Sequence, residues 1–329
     1  MQKLGPTLQT LFAELVQQVN SITVKAGTVY TQSDKGAKYL YAKYSVGRAR
    51  RDIFIGPAND PAARALADQM RAEQKNARER RRLIRTLRDN GVPVPTRALG
   101  NVLDAMSDAG LFEAGVLVGT AAYVCYSPIL GVVLPSGALM TQDVDLATAS
   151  LTIKGDSETG SMLDLLRRAD QTFTPIPALK KGTPSSSFRS SEGFLVDLLT
   201  PQKRRSDKNP MPLENLRAGA TPMQHLDWLI EEPVSSVALY GAGVPIRVPQ
   251  PAKYAVHKLI VAQKRRLHER IKRGKDLLQA KALIEALSET DPHALQDAVD
   301  DAFAKGKSGW KRPALRSLKE LEIDLDALG

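Results

Sequence analysis

Asp143 and Asp145 stand two positions apart in TQDVDLA, residues 141–147. In a strand, residues i and i+2 share a face, so the two carboxylates project side by side about 6.6 Å apart while Val144 and Leu146 turn to a core. Like charges placed in this way repel unless a cation lies between them. The arrangement suits two divalent ions about 4 Å apart that clamp the attacking and leaving oxygens of a phosphoryl displacement. An edge strand with a solvated acidic face is the alternative. Asp197 is the only charge in GFLVDLLTP, residues 193–201. A carboxylate in such a strand is costly to bury unless it is paired, hydrogen-bonded or metal-bound, whereas a strand end near the surface would leave it solvated. Beside Asp143 and Asp145 it would complete a three-carboxylate cage, hold a metal and take the proton of an acceptor hydroxyl.

A second piece is AGVLVGTAAY, residues 114–123. An apolar strand that runs through Gly119-Thr120 directly into a helix offers free backbone N–H groups at a helix N-terminus, which suits a phosphate. Gly119 permits close approach, and Thr120 can cap the helix or bind an oxygen. A tight strand-to-helix turn with a threonine cap has the same sequence. Upstream of Asp197, KKGTPSSSFRS (residues 180–190) clusters serines with Arg189, a polar connection that could also contact an acceptor or a phosphate.

These residues need a scaffold, and 329 residues suffice for more than one core. Residues 4–19 read as an amphipathic helix. Strand-like stretches at 28–31, 38–45 and 52–55, punctuated by Asp34-Lys35-Gly36 and Val46-Gly47-Arg48, predict a small three-stranded meander. A long basic helix follows Pro61 and ends near Asn90, before Gly91 and the Pro93/Pro95 pair. From Thr96 the pattern is α/β: a helix over 99–109, strands at 115–118, 143–147 and 193–199, and a hairpin at 237–248 around Gly241-Ala242-Gly243. From Pro251 onward the reading is helical, over 252–273, 275–287, 292–304 and 312–321. The expected fold class is thus α+β: a mixed sheet with helices, a C-terminal helical domain, and a small N-terminal β-meander plus basic helix. The expected domains are 1–60, a basic helical linker 61–97, a catalytic domain 98–250 and a helical domain 251–329.

The net charge is +10, concentrated at residues 71–88 (eight Arg/Lys against Glu73 and Glu79) and 253–275 (nine against Glu269). A basic helix is usually a solvated face, but two of them favour a polyanionic partner. Cys125 is the only cysteine, which excludes an internal disulfide and points to a reducing, cytoplasmic compartment. The four histidines show no metal-binding spacing, and no run approaches membrane-spanning length.

A Gly-Thr turn opening a helix, then Asp143-x-Asp145 on the next strand and a lone Asp197 on a later one, resembles the nucleotidyltransferase fold shared by DNA polymerase beta, antibiotic nucleotidyltransferases and type IV abortive-infection toxins. The distance from Gly119 to Asp143 exceeds that of minimal members, so residues 128–142 are expected to make an extra excursion. PAKYAVHKLIVAQKR followed by RGKDLLQA resembles the toxin group's second signature. That resemblance implies that Lys258 and Lys275 reach a triphosphate and that Asp276 positions Lys275 or the acceptor. It implies an NTP such as ATP as co-substrate, Mg²⁺ or Mn²⁺ as cofactor, and a toxin-like role with an antitoxin partner. The whole arrangement also resembles a bacterial nucleotidyltransferase-fold family of unassigned substrate.

The meander places Tyr39 and Tyr41 on one face and Tyr44 on the other, with Lys38, Lys43, Arg48, Arg50 and Arg51 around them. It resembles the small β-sheet arms with which integrases touch DNA. Alternating tyrosines also suit the core of a small sheet. With the basic helix, the expectation is that residues 1–95 bind RNA or DNA, tRNA included, through the phosphate backbone.

Overall fold

The computed structural model describes residues 1–46, 49–135, 141–148, 160–204 and 206–324. The N-terminal region begins with β1 (Gln2–Lys3) and α1 (Pro6–Asn20), which buries Phe12, Leu15 and Val19. The expected meander follows as β2 (Thr28–Asp34), β3 (Ala37–Val46) and β4 (Ala49–Pro57), antiparallel in that order. Gly47 and Arg48 of its second turn lie outside the described residues. Asp60 then caps the helix that Pro61 starts, α2 (Pro61–Asp89), its carboxylate accepting from the Ala62 N–H at 3.1 Å.

One face of α2 is buried through Ala63, Ala67, Met70, Ala77, Arg80, Ile84 and Leu87. Leu40 of β3 packs on Ala63 and Ala67, and Ile84 and Leu87 pack with α1. Arg80 departs from the expected solvated basic face. It is 3% exposed, pairs with Glu73 at 2.5 Å and donates to the Ala242 carbonyl at 2.9 Å. The other seven cations of residues 71–88 are exposed.

Thr96 caps α3 (Arg97–Asp108), and Gly110 turns the chain toward β5 (Val116–Val118). Then come α4 (Gly119–Tyr123), α5 (Tyr126–Leu130) and β6 (Val132–Val133). The expected excursion therefore contains β6, which pairs with β1 and stitches the chain start to the centre of the molecule. Residues 136–140 of that excursion lie outside the described residues. Next follow β7 (Asp143–Ala147), α6 (Met162–Ala169), β8 (Thr174–Ile176), β9 (Ser187–Arg189) and β10 (Leu195–Pro201). The sheet is completed by β11 (Met211–Leu213) and β12 (Ala218–Met223).

The sheet runs β11-β12-β10-β7-β5, with β9 on the first half of β10 and β8 outside it. β7–β10 and β10–β12 are parallel, while β5–β7 and β9–β10 are antiparallel, so the sheet is mixed. A short α7 (Leu226–Leu229) precedes the predicted hairpin, β13 (Val234–Ala238) with β14 (Val244–Val248).

The C-terminal region is helical: α8 (Pro251–Ala262), α9 (Arg270–Thr290), α10 (Pro292–Ala304) and α11 (Arg312–Glu320). The expected single helix over 252–273 is corrected here. The chain breaks after Ala262 rather than at Gly274, which lies inside α9. The intervening bend returns Arg265 toward Asp276, 2.9 Å away, and that ion pair gives the break its physical reason. The main core joins Leu103, Leu117, Val144, Val196, Ala255, Leu283 and Leu295, so the helices and the sheet share one interior. The α+β class is as expected. Among the described residues no helix is long and apolar enough to cross a membrane.

Candidate active site

The three aspartates meet across two strands. In the parallel pairing of β7 with β10, Asp145 stands directly opposite Asp197, and Asp143 opposite Leu195. On the far side of β7, Val118 is opposite Asp145, so the turn at Gly119 begins one residue beyond the carboxylate. Alternation puts Asp143, Asp145 and Asp197 on one face, while Val144, Leu146, Val196 and Leu198 are buried on the other. The third strand contributes Ser187, opposite Asp197 and hydrogen-bonded to it. Arg189, two residues on, shares that face and is exposed.

The electrostatics of the row are those of crowded carboxylates. Burial, then the charges of Asp143 and Asp197, push the Asp145 carboxyl up to about 7, against the pull of Lys258 and Lys272. Asp197 is raised as well, by burial first, with Ser187 opposing and Asp143 adding. Asp143 is hydrogen-bonded by the Thr141 hydroxyl. Among the described residues no group of three or more His, Cys, Asp or Glu is drawn together as if around an ion; Asp143, Asp145 and Asp197 form an aligned row across β7 and β10. The donor set nonetheless fits a divalent cation. Its members are oxygen ligands of the hard kind, and their mutual repulsion is what a cation between them relieves.

Gly119 has φ +64° and opens α4 under the row. A Cβ at this position would fall on the Asp145 carboxylate, so both the turn and the close approach require glycine. Thr120 makes no cap to its own helix. Its hydroxyl instead accepts from Gln279 Nε2 at 3.3 Å. Tyr254 Oη lies 2.8 Å from the Gly119 carbonyl and 3.0 Å from Gln279 Oε1, sharing its one proton between two acceptors. α8 and α9 therefore hold the Gly-Thr turn from behind.

Lys258, expected at a triphosphate, is 7% exposed and donates to Asp276 Oδ1 at 2.6 Å. Asp276, 3% exposed, gives its other oxygen to Arg265. Although burial favours the neutral acid, Lys258 and Arg265 pull the Asp276 carboxyl below the usual range. Asp276 thus anchors Lys258 and Arg265 rather than presenting itself to substrate. Lys275 is partly buried on the same helix, its ammonium pKa lowered by burial against the opposing charge of Asp143.

Lys272 escaped the sequence reading. It is exposed, yet its charge reaches both Asp145 and Asp197. Gln279 and Arg265 were also missed, and Ser187 was marked only as part of the serine cluster before Arg189. Tyr254 carried a local signal too, one helical turn before Lys258 on the same face of α8. Arg270, Lys272, Arg273 and Lys275 crowd the start of α9, where the helix dipole disfavours cations and welcomes an anion.

The sequence matches the family model described as Nucleotidyltransferase over residues 97–304. No curated protein and no solved structure matches the chain.

Proposed function

The chain belongs to the nucleotidyltransferase family, and from that premise we propose that it moves a nucleoside monophosphate from an NTP to a hydroxyl of a tRNA or protein acceptor. The observation that carries this reading is the register of Val118, Asp145 and Asp197 across three adjacent strands, which brings the Gly119 turn and the acidic row to one place. Asp143, Asp145 and Asp197 would hold Mg²⁺ or Mn²⁺, which when bound neutralises charge developing on the attacking and leaving oxygens.

The chain's own groups do the rest. The N–H groups of the Gly119-Thr120 turn, with Lys272, Lys275 and Arg189, bind and orient the triphosphate. Lys258 stays fixed by Asp276 and supplies a standing positive charge beside Asp145. The acceptor oxygen attacks the α-phosphorus, the bond from that phosphorus to the bridging oxygen of the β-phosphate breaks, and pyrophosphate leaves. Asp197 takes the hydroxyl proton.

The division into an acceptor module (1–60), a basic linker (61–97), a catalytic domain (98–250) and a helical domain (251–329) is part of this reading. So are nucleic-acid binding by residues 1–95, a cytoplasmic location and a toxin-like role with an antitoxin.

Incubating the pure protein with each α-³²P-labelled NTP, Mg²⁺ and fractionated cell extract tests it. Label retained on RNA or protein by the wild type and lost in Asp145→Asn is expected. No labelled fraction with any NTP overturns the transferase reading. A second reading, a catalytically inactive nucleotidyltransferase scaffold that binds nucleic acid, draws on the exposed cations along α2. A melting temperature unmoved by Mg²⁺ plus NTP would select it.

A further inference from the structure

The outer face of the meander is aromatic and open. Tyr30, Tyr41 and Phe54 stand directly opposite one another on β2, β3 and β4. The Tyr30 and Tyr41 rings stack at 5.7 Å, Phe54 meets Tyr41 edge-on at 5.4 Å, and Tyr39 lies 5.9 Å from Phe54. These rings are not the small sheet's core. That role belongs to the opposite face, where Leu40, Ala42 and Val46 are buried, Leu40 against α2. Phe54 is 58% exposed, a large apolar surface left in water.

The charge around the ladder selects the partner. Lys43 sits 5.5 Å above the Tyr30 ring and 3.8 Å from Asp52, which also accepts from the Tyr30 hydroxyl at 3.1 Å, and Arg50 is exposed two residues before Asp52 on the same face. Residues 1–95 hold seventeen Lys and Arg against eight Asp and Glu, so +9 of the chain's +10 lies in this region. An acidic protein would answer the charge but not the open stack of rings, whereas an unpaired nucleic-acid strand answers both. Stacked, half-exposed rings on a sheet face with cations beside them match the way unpaired bases are held.

We propose that the Tyr30–Tyr41–Phe54 ladder binds single-stranded RNA by base stacking, with Tyr39 extending the platform and Lys43 and Arg50 on its phosphates. This deepens, and rests on, the reading of residues 1–95 as the acceptor-binding region. The choice of RNA over DNA rests on the tRNA acceptor proposed above, and the DNA arm of the test separates the two. Gln32, opposite Tyr39 on the ladder's face of β2, places a polar group beside it for the 2′-hydroxyl.

Fluorescence anisotropy of the full chain with a labelled 12-mer RNA, the DNA of the same sequence and an RNA duplex, without NTP or metal, tests the proposal. Single-stranded RNA is expected to bind most tightly and to weaken steeply between 50 and 200 mM salt. Phe54→Ala should cost about tenfold in affinity with an unchanged melting curve, and Phe54→Tyr should restore it. Asp145→Asn should bind RNA as the wild type does. No binding at low salt, tighter binding to DNA or to duplex, or affinity indifferent to Phe54→Ala would overturn the proposal. So would self-association abolished by Phe54→Ala. Thermal shift with Mg²⁺-NTP reports separately on the catalytic reading, so either can fail while the other stands.

Discussion

The Asp145 carboxylate occupies the space that a side chain at Gly119 would need. With φ +64°, that residue is also in the left-handed region, where a non-glycine residue costs about 1 kcal/mol. Gly119→Ala is therefore expected to keep its circular dichroism spectrum, lose a few degrees of melting temperature and lose all stabilisation by Mg²⁺-NTP. A variant stabilised by nucleotide as the wild type is would show that the turn tolerates a displaced Asp145.

Asp145 gives a pH signature. Its carboxyl is raised to about 7, so between about pH 4 and 7 the metal-free folded chain keeps a proton that the unfolded chain has lost. Stability from this group falls as pH rises through that window and is level above it. His225 and His257, lowered by burial to about 4 and about 3, act in the opposite sense, since the unfolded chain takes up their protons below about 6.5. The difference between wild type and Asp145→Asn isolates the aspartate. The variant should be more stable than wild type by roughly 1–2 kcal/mol at pH 8 and by almost nothing at pH 4, measured by urea unfolding. A constant difference across pH would remove the repulsion argument.

Lys258 and Lys275 should behave differently. Lys258→Ala leaves Asp276 buried with Arg265 alone and is expected to cost about 3 kcal/mol in denaturant unfolding. Lys275→Ala should cost less than half of that and weaken NTP binding about tenfold by calorimetry. Equal stability losses in the two variants would contradict this division.

Tyr254→Phe removes the hydroxyl that reaches the Gly119 carbonyl while keeping the ring against Tyr123 and Tyr126. A loss of about 1 kcal/mol in stability and a fall in kcat larger than any change in KM are expected, because the turn would be less fixed. Unchanged kcat would make the bond purely structural.

On α2, Arg80→Ala should destabilise by about 2–4 kcal/mol, since Glu73 and the Ala242 carbonyl lose a buried partner. Arg81→Ala, exposed, should stay within about 0.5 kcal/mol. Chemical denaturation of both variants checks the contrast.

Much of the acidic row was legible because strand periodicity is local: spacing alone put Asp143 and Asp145 on one face, and an isolated charge marked Asp197. The meander and hairpin were visible through their turn residues. What the sequence hid depends on contacts between distant segments. Nothing near Gln279 announces Thr120, and nothing in the basic run of residues 71–88 singles out Arg80, whose partner carbonyl is 162 residues away. The break after Ala262 was missed because no glycine or proline marks it, an ion pair to a later helix fixing the bend instead. Tyr44 turned away from Tyr39 and Tyr41 as alternation required, over Lys25. Which face of the meander met solvent, however, depended on α2.

The bond from Gln279 to Thr120 spans 159 residues of chain. During synthesis at about 5–20 residues per second, the Gly119-Thr120 turn leaves the ribosome roughly 8–32 s, and Asp197 roughly 4–16 s, before Gln279 of the helix that braces the turn. A nascent chain that has passed Asp197 but not yet reached α9 thus carries all three aspartates while the turn remains unbraced.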